Sequence, residues 1–299
     1  MSENVKGALR IFLSEIIDYA GLFPPAQLTM ASAVQNYADY LNSEYAWMLN
    51  SFVVPVDALD EFAHYAAEFW SKNSKQRWRI SVLANENFED TTRKTAYFNA
   101  HHAGQAAIEV IEAKTESAAA IYASKPFFSE SITTYFEIPR SSQLSEMISA
   151  IALSKVRAKI RTGGVVTESF PPIDELIKFL RISLAANVPF KATAGLHHPL
   201  RAVKALTYED NSSTATMHGF LNLFLAAAFL RQNLNNTFVH QLMADADARN
   251  FKFDDDGAEW RGHRIDLQQL KLLRTRGVIS FGSCSFVEPI EDLQQLGFL

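Results

Sequence analysis

Short apolar runs alternate with longer segments whose apolar residues recur at helical spacing along almost the whole of this chain. That alternation is the pattern of consecutive strand–helix units, and strands joined through helices lie parallel in one sheet. Eight strands can be read. An irregular first one lies near Asp18–Phe23, followed by Trp47–Pro55, Trp78–Ala84, Ala107–Ile111 and Ile132–Ile138; the sixth and seventh run through Ala158–Gly164 and Phe190–Pro199, and the eighth is Val278–Phe286. Helices are expected at Met30–Leu41, Ala58–Trp70, Thr91–His101, Ser117–Ala123, Gln143–Leu153, Pro172–Ala186, Ala215–Leu230 and Pro289–Leu296. The second of these shows the period plainly, with Leu59, Phe62, Ala66 and Phe69 on one face. Eight βα units in 299 residues predict an α/β fold, a closed (β/α)8 TIM barrel forming a single domain over residues 1–299. An open dinucleotide-binding sheet is disfavoured because no GxGxxG follows any strand. One region breaks the period, an insertion at residues 231–277 between helix 7 and strand 8. Within it, Phe251–Gly257 and Trp260–Arg264 read as a hairpin with an Asp/Gly turn. Such an insertion covers the barrel rim or serves a homo-oligomer contact.

Composition narrows the partners. A net charge of −5, from 28 basic and 33 acidic residues spread along the chain, leaves no basic stripe for nucleic acid or an anionic membrane. Cys284 is the only cysteine, which excludes an intrachain disulfide framework and any CxxC metal or redox motif and fits a reducing, cytoplasmic setting. The segment Met1–Arg10 carries Glu3, Lys6 and Arg10 and does not read as a secretory signal. The longest apolar run, Phe220–Leu230, contains Asn222 and is too short to span a bilayer. No cofactor fingerprint is present. HExxH and other metal-ligand spacings are missing too, although His218, Glu137 and Asp18 leave open a set converging from separate loops.

The chemistry concentrates on two strands. Lysines pointing into a barrel are rarely tolerated unless they are paired or working. Alternation puts Lys159 and Arg161 on one face of strand six, and Lys191 and Thr193 on one face of strand seven, with Gly195 and His197 beyond. Tyr135 and Glu137 share a face of strand five, Glu109 faces inward from strand four, and strand eight ends in Ser283-Cys284-Ser285. A cluster of Lys159, Arg161 and Lys191 needs an anion: Glu109 and Glu137 from within, or a phosphate or carboxylate from a substrate. Gly163, Gly164 and Gly195 would let backbone N–H groups approach that oxyanion, and Thr193, His198, Asp18, Ser283 and Ser285 complete the candidate binding set. Two neighbouring lysines lower each other's pKa, which would leave one an uncharged amine as Schiff-base chemistry requires. His197 and Glu137 are the candidate acid and base; adjacent His197 and His198 point apart in an extended segment. Cys284, among small residues, reads as a packed thiol.

Lys159 with Thr162-Gly163 resembles the strand-six Lys-x-Ser-Thr-Gly segment of class I aldolases of the deoxyribose-phosphate aldolase type, and Lys191 with Gly195 resembles their strand-seven Lys-x-x-Gly-Gly segment. The match covers about a dozen of the 299 residues. It implies that Lys159 is the Schiff-base lysine and Lys191 the one that tunes it. Arg161 departs from the pattern by replacing a small polar residue, His197-His198-Pro199 follows the second motif, and the family's acidic proton relay has no identified counterpart. As a whole the chain resembles an uncharacterised bacterial barrel family carrying the strings DYAGLFPP, KIRTGG, KATAGLHHP and FGSCSF, and that resemblance supplies no activity. The expected function is therefore a lyase acting on a small anionic carbonyl compound. Its alternatives are an acid–base or metal-assisted isomerase or hydrolase in the same pocket, and a non-catalytic anion-binding barrel.

Overall fold

A computed structural model describes residues 5–72, 77–140 and 143–299. Eight parallel strands close into a barrel in chain order: β1 (Ile17–Tyr19), β2 (Leu49–Pro55), β3 (Trp78–Leu83), β4 (Ala106–Lys114), β5 (Thr133–Ile138), β6 (Arg157–Arg161), β7 (Phe190–Thr193) and β8 (Val278–Ser283), which pairs back with β1. This is the (β/α)8 fold expected from the repeated units. Helices at Met30–Leu41, Leu59–Lys72, Phe88–His102, Ala118–Ser124, Leu144–Leu153, Ile173–Ala185, Phe220–Arg231 and Val287–Gln295 follow the strands in turn. Their starts are chemically marked. Thr29 accepts a hydrogen bond from the Ser32 amide, and Asn87 accepts one from that of Asp90, satisfying donors that a first turn leaves without helical partners.

The strands have two different faces. Outward residues such as Ile80, Val82, Phe136, Ile138, Ala158, Phe190 and Ala192 join the aliphatic core under the helices. Phe190, for example, meets Phe179 of the helix Ile173–Ala185 edge-on at 5.1 Å. One irregularity matters for the site. Ile80 of β3 pairs with Ile108, but Ser81 pairs with Val110, so Glu109 is the extra residue of a β-bulge. The bulge moves the outward position from Ile108 to Ile111 and makes Glu112 the inward residue at the height of the lysines. Glu109 lies nearer the N-terminal end of the barrel, paired with Arg79 at 3.2 Å, where Arg79 also meets Glu15 at 2.9 Å. The expected inward role of Glu109 beside the lysines thus passes to Glu112.

Two further expectations change. The segment predicted as one helix over Ala215–Leu230 is divided: Thr214–Met217 is a strand pairing antiparallel with Ala202–Ala205, and the helix begins only at Phe220. Gly219 sits at the division, where an added Cβ would lie 2.4 Å from the Pro199 carbonyl oxygen and the Leu200 Cα. The insertion contains the expected hairpin with a third strand added, Phe251–Phe253, Gly257–Trp260 and His263–Asp266, flanked by helices Asn236–Ala244 and Leu267–Arg276. Its acidic turn binds the helix Gly7–Leu13 that precedes β1, through the Gly7 amide to Asp255 Oδ1 at 2.9 Å and the Ala8 amide to the Asp254 carbonyl at 3.0 Å. The insertion is therefore anchored to the helix that leads into β1, and none of its residues lines the cavity at the C-terminal mouth. Among the described residues no helix is long and apolar enough to cross a membrane.

Asn222 ties these parts together. Buried in the helix Phe220–Arg231, it accepts from the Arg201 amide at 2.9 Å and donates to the carbonyls of Leu242 and Asp245 at 2.7 and 2.8 Å. Replacing it by leucine leaves three backbone groups, two of them in buried bonds, without these partners, so Asn222→Leu is expected to lower the unfolding free energy by about 3 kcal/mol. Urea titration should read this as a lower midpoint with an unchanged slope.

Candidate functional site

Barrels of this type usually fill their interior with branched aliphatic side chains. Here the inner wall at the C-terminal half is charged. Strand register sets Glu137, Lys159 and Lys191 side by side on β5, β6 and β7, so their side chains enter one layer. The Lys159 ammonium lies 2.7 Å from Glu112 Oε2 and 2.9 Å from Glu137 Oε2. The Lys191 ammonium lies 2.6 Å from Asp18 Oδ2 and also bonds Glu112 Oε1. Arg161 donates from Nε to Glu137 Oε1 at 3.0 Å. Neutral donors complete the set: Ser81 to Glu112 at 2.6 Å, and Asn50, Ser51 and Ser280 to Asp18, each at 2.6 Å. A continuous chain results, Arg161–Glu137–Lys159–Glu112–Lys191–Asp18, in which cations and carboxylates alternate.

The electrostatics follow from that alternation. Burial acts to lower the Lys191 pKa, but the charges of Asp18 and Glu112 outweigh it and hold the ammonium above its ordinary value. This corrects the expectation that the two lysines depress one another; for Lys191 the carboxylates on either side dominate. Burial likewise acts to raise Glu112 and Glu137, yet Lys159 with Lys191 in the first case, and Lys159 with Arg161 in the second, hold both below the ordinary carboxylate range. Tyr135 lies toward the N-terminal end with its ring 5.4 Å from the Lys191 ammonium, accepting from Arg157 at 3.0 Å.

A cavity of about 490 Å³ opens at the C-terminal mouth, with Glu112, Glu137, Lys159, Lys191, Arg161 and Thr193 in its wall. Lys114, Gly164, His197 and Cys284 also line it, as do Ala20, Phe23 and Pro24 from the loop after β1. A larger cleft of about 850 Å³ lies on the helix side of β5 and β6 beside Arg140 and Glu175. It touches Glu137 and Arg161 but neither buried lysine; both lysines line the barrel cavity, and Lys191 also borders a smaller cavity of about 210 Å³ toward the N-terminal end, beside Tyr135, Arg157 and Ser280.

Several expected contacts are placed elsewhere. Asp18 is fully buried beneath the cavity and acts on it through Lys191. Gly163 and Gly195 do not form an open cradle: a Cβ on Gly195, whose φ is +67°, would lie 2.7 Å from Gly163 Cα, and one on Gly163 would strike the Phe170 ring at 2.4 Å. These glycines let the loops after β6 and β7 pack against each other. His198 turns away to Asp292 Oδ2 at 2.5 Å. Ser283 donates to the Ser285 carbonyl at 2.6 Å and sits 3.2 Å from His197 Nδ1, while Ser285 Oγ accepts the Glu288 amide at 3.1 Å. Neither serine lines the cavity. His218 donates from Nε2 to the Pro171 carbonyl at 2.8 Å, so it does not converge with Glu137 and Asp18. Among the described residues no group of three His, Cys, Asp or Glu side chains is arranged to hold a metal ion.

His197 does reach the cavity, with a setting that the chain order conceals. Its Nδ1 lies 3.2 Å from Glu288 Oε2 and 4.0 Å from Cys284 Sγ, and the Tyr208 hydroxyl stands 3.6 Å from that sulfur and 3.2 Å from Glu288 Oε2. Burial pushes the imidazole down, but its bonds to Cys284 and Glu288 prevail and raise its pKa to about 9. For Cys284, burial pushes the thiol up and the bond and charge of His197 more than reverse this, leaving it below its ordinary value. Glu288 and Tyr208 carry no motif in the sequence. Only the Ser-Cys-Ser and His-His-Pro strings beside them mark the place.

No protein-family model matches this chain, and no curated protein matches it. Among solved structures it is similar to a GH10 endoxylanase retrieved from sugarcane soil metagenome, at 11% identity and a TM-score of 0.33 over 67% of this chain and 73% of that one. It is also similar to the Bacillus cereus spore cortex-lytic enzyme SleL, at 13% identity and a TM-score of 0.38 over 95% of this chain and 74% of that one. Such values carry no argument about activity, and the barrel assignment rests on the strand order given above. Neither similarity bears on the aldolase-like motifs.

Removing the carboxylate shared by both lysines should be costly. Glu112→Gln leaves two buried ammonium groups with one anion fewer, and a loss of about 3–5 kcal/mol is expected in chemical denaturation. Acid should act on the same groups. Glu112 and Glu137 titrate below the 4.5 of an ordinary glutamate, so their contribution is present above that pH and is lost as pH falls through their folded-state values. The melting temperature is therefore expected to drop with pH below 4.5, and less steeply in Glu112→Gln than in the wild type.

Proposed function

We propose that this chain is an enzyme acting on a small anionic carbonyl compound in the barrel cavity, with Lys159 as the amine nucleophile of a lyase reaction. The observation that carries this reading is the Lys159 ammonium in the cavity wall, held between Glu112 and Glu137. Buried ion pairs are often no more stable than well-packed apolar residues of the same volume. Their concentration under an open cavity therefore favours chemistry over stability as the reason for them. The volume, about 490 Å³, lies in the range of small-molecule sites.

The anion end of the substrate goes to the mouth. Arg161 is half exposed, and only its Nε is engaged by Glu137, so its terminal nitrogens face a ligand in the fork geometry that suits carboxylate or phosphate. Lys114 adds a second cation in the same wall. In the reacting step the Lys159 nitrogen adds to the carbonyl carbon as one of its protons passes through Glu137 to the carbonyl oxygen. A second N–H proton then passes by the same carboxylate to the resulting hydroxyl, and water leaves to give the protonated imine. Lys191, kept charged by Asp18 and Glu112, opposes the loss of Glu112's negative charge beside the reacting nitrogen. His197, also in the wall, then moves the proton that carbon–carbon cleavage or formation requires.

A second reading uses the same groups without an imine. Lys159 stays paired with Glu112 and Glu137, and Glu137 and His197 perform acid–base isomerisation or hydrolysis. Borohydride reduction separates the two. With pyruvate or glyceraldehyde 3-phosphate present, mass spectrometry is expected to find one reduced adduct, on Lys159, and none in Lys159→Met. If neither compound gives an adduct although both raise the melting temperature, the acid–base reading replaces the lyase. If neither compound binds, the anionic-carbonyl assignment fails.

A further inference from the structure

We propose that Cys284 is a second nucleophile of this cavity, a thiolate activated by His197 and Glu288 that adds reversibly to the carbonyl carbon of a small anionic aldehyde or ketone. The inference rests on the cavity reading above but not on the imine. Its basis is a constellation rather than the cysteine alone. Three elements bring the groups together: Cys284 directly follows β8, His197 lies in the loop after β7, and Glu288 stands in the first turn of the helix Val287–Gln295. Sulfur and carboxylate both face one ring nitrogen of His197, whose Nδ1 lies 4.0 Å from Sγ and 3.2 Å from Glu288 Oε2, so a proton held there pairs the imidazolium with a thiolate on one side and the carboxylate that stabilises it on the other.

A structural thiol prefers apolar neighbours. Cys284 instead has an imidazole at 4.0 Å and a phenol at 3.6 Å, and it lines the cavity that holds the buried lysines. The His197 ring is nine-tenths buried and also lines the cavity, and its Nε2 has no hydrogen-bond partner among the described residues. That nitrogen is available to a ligand while Nδ1 is held by the protein. The charged or titratable groups facing the sulfur are His197, Tyr208 from the Ala202–Met217 region and Tyr19 from β1; Glu288 reaches it through His197 and Tyr208.

The step balances without an oxidant or reductant. Sulfur donates an electron pair to the carbonyl carbon and a C–S bond forms. The carbonyl π pair moves to oxygen, which takes a proton from the His197 imidazolium, leaving a hemithioacetal and a neutral imidazole. Reversal returns the thiolate and the free carbonyl compound.

Because Cys284 is the only cysteine, alkylation of the full chain reports on it alone. An ordinary thiol gains thiolate on the order of 100-fold between pH 6 and pH 8.5. Chain unfolded in urea should show that rise with iodoacetamide, whereas the native rate is expected to rise less than about tenfold, since a thiolate already exists at pH 6. This ratio is independent of how slowly the reagent enters the cavity. His197→Gln is expected to restore the steep rise, and Glu288→Gln to restore part of it, with circular dichroism verifying the fold of each. Glyoxylate should slow native alkylation reversibly, including in Lys159→Met, where no imine can form at that position. A native pH dependence as steep as that of the unfolded chain overturns the proposal. So does a flat dependence with no glyoxylate protection in Lys159→Met, which would leave an activated thiol without the proposed ligand. Failure of borohydride trapping at Lys159 would overturn the imine and leave these outcomes intact.

Discussion

Two ammonium groups stand on neighbouring strands of one barrel wall, and the Glu112 carboxylate makes that arrangement possible. Each of its oxygens takes one lysine, Oε2 that of Lys159 and Oε1 that of Lys191, while Ser81 supplies a further donor to Oε1. Without that shared anion the lysines would face each other in a poorly hydrated layer, where unpaired charge costs several kcal/mol per group. The flanking carboxylates have different jobs. Asp18 is fixed by three neutral donors and anchors Lys191 from within, whereas Glu137 is shared with Arg161 and faces the mouth.

A barrel with a charged interior has to obtain its stability elsewhere. The outward strand faces do this with the helices, through clusters such as Phe52, Phe62, Trp70 and Trp78, whose rings pack at centroid distances of 5.0 to 6.1 Å. The insertion adds a second source beside the helix Gly7–Leu13. Trp260 is buried there and donates to Asp245 at 3.0 Å, and Asn222 ties the same region to the loop after β7. The cavity with its charged wall lies at the C-terminal ends of the strands, the usual place of active sites in barrels.

Most of this frame was legible from hydrophobic period, because strand and helix alternate with few interruptions. Inward placement of Lys159, Lys191, Tyr135 and Glu137 also followed from period two alone. Glu112 did not, since one extra residue in β4 shifts the alternation, and a bulge is defined by pairing with β3 rather than by local composition. The glycines misled for a related reason: Gly163 and Gly195 are small because two loops meet with Phe170 between them, a contact between positions far apart in the chain. The Cys284 setting was equally hidden. Its neighbours Glu288 and Tyr208 look like ordinary surface residues until the last helix and the Ala202–Met217 hairpin are placed over the mouth.

The order of charges also gives the cavity a direction. At its inner end the chain terminates on Asp18, whose oxygens are already filled by Lys191, Asn50, Ser51 and Ser280. At its outer end it terminates on Arg161, which has one carboxylate partner and a half-exposed side chain. Free capacity for an anion on this network therefore lies at its outer end, and displacing any inner carboxylate would strand a buried ammonium. Under the function proposed above, an anionic group on Arg161 would set a short substrate's next atoms over the Glu137–Lys159 pair, the neighbours of Arg161 in the network. This polarity, set by which end of the network retains free donors, distinguishes two lysines that the strand register alone presents as equivalent.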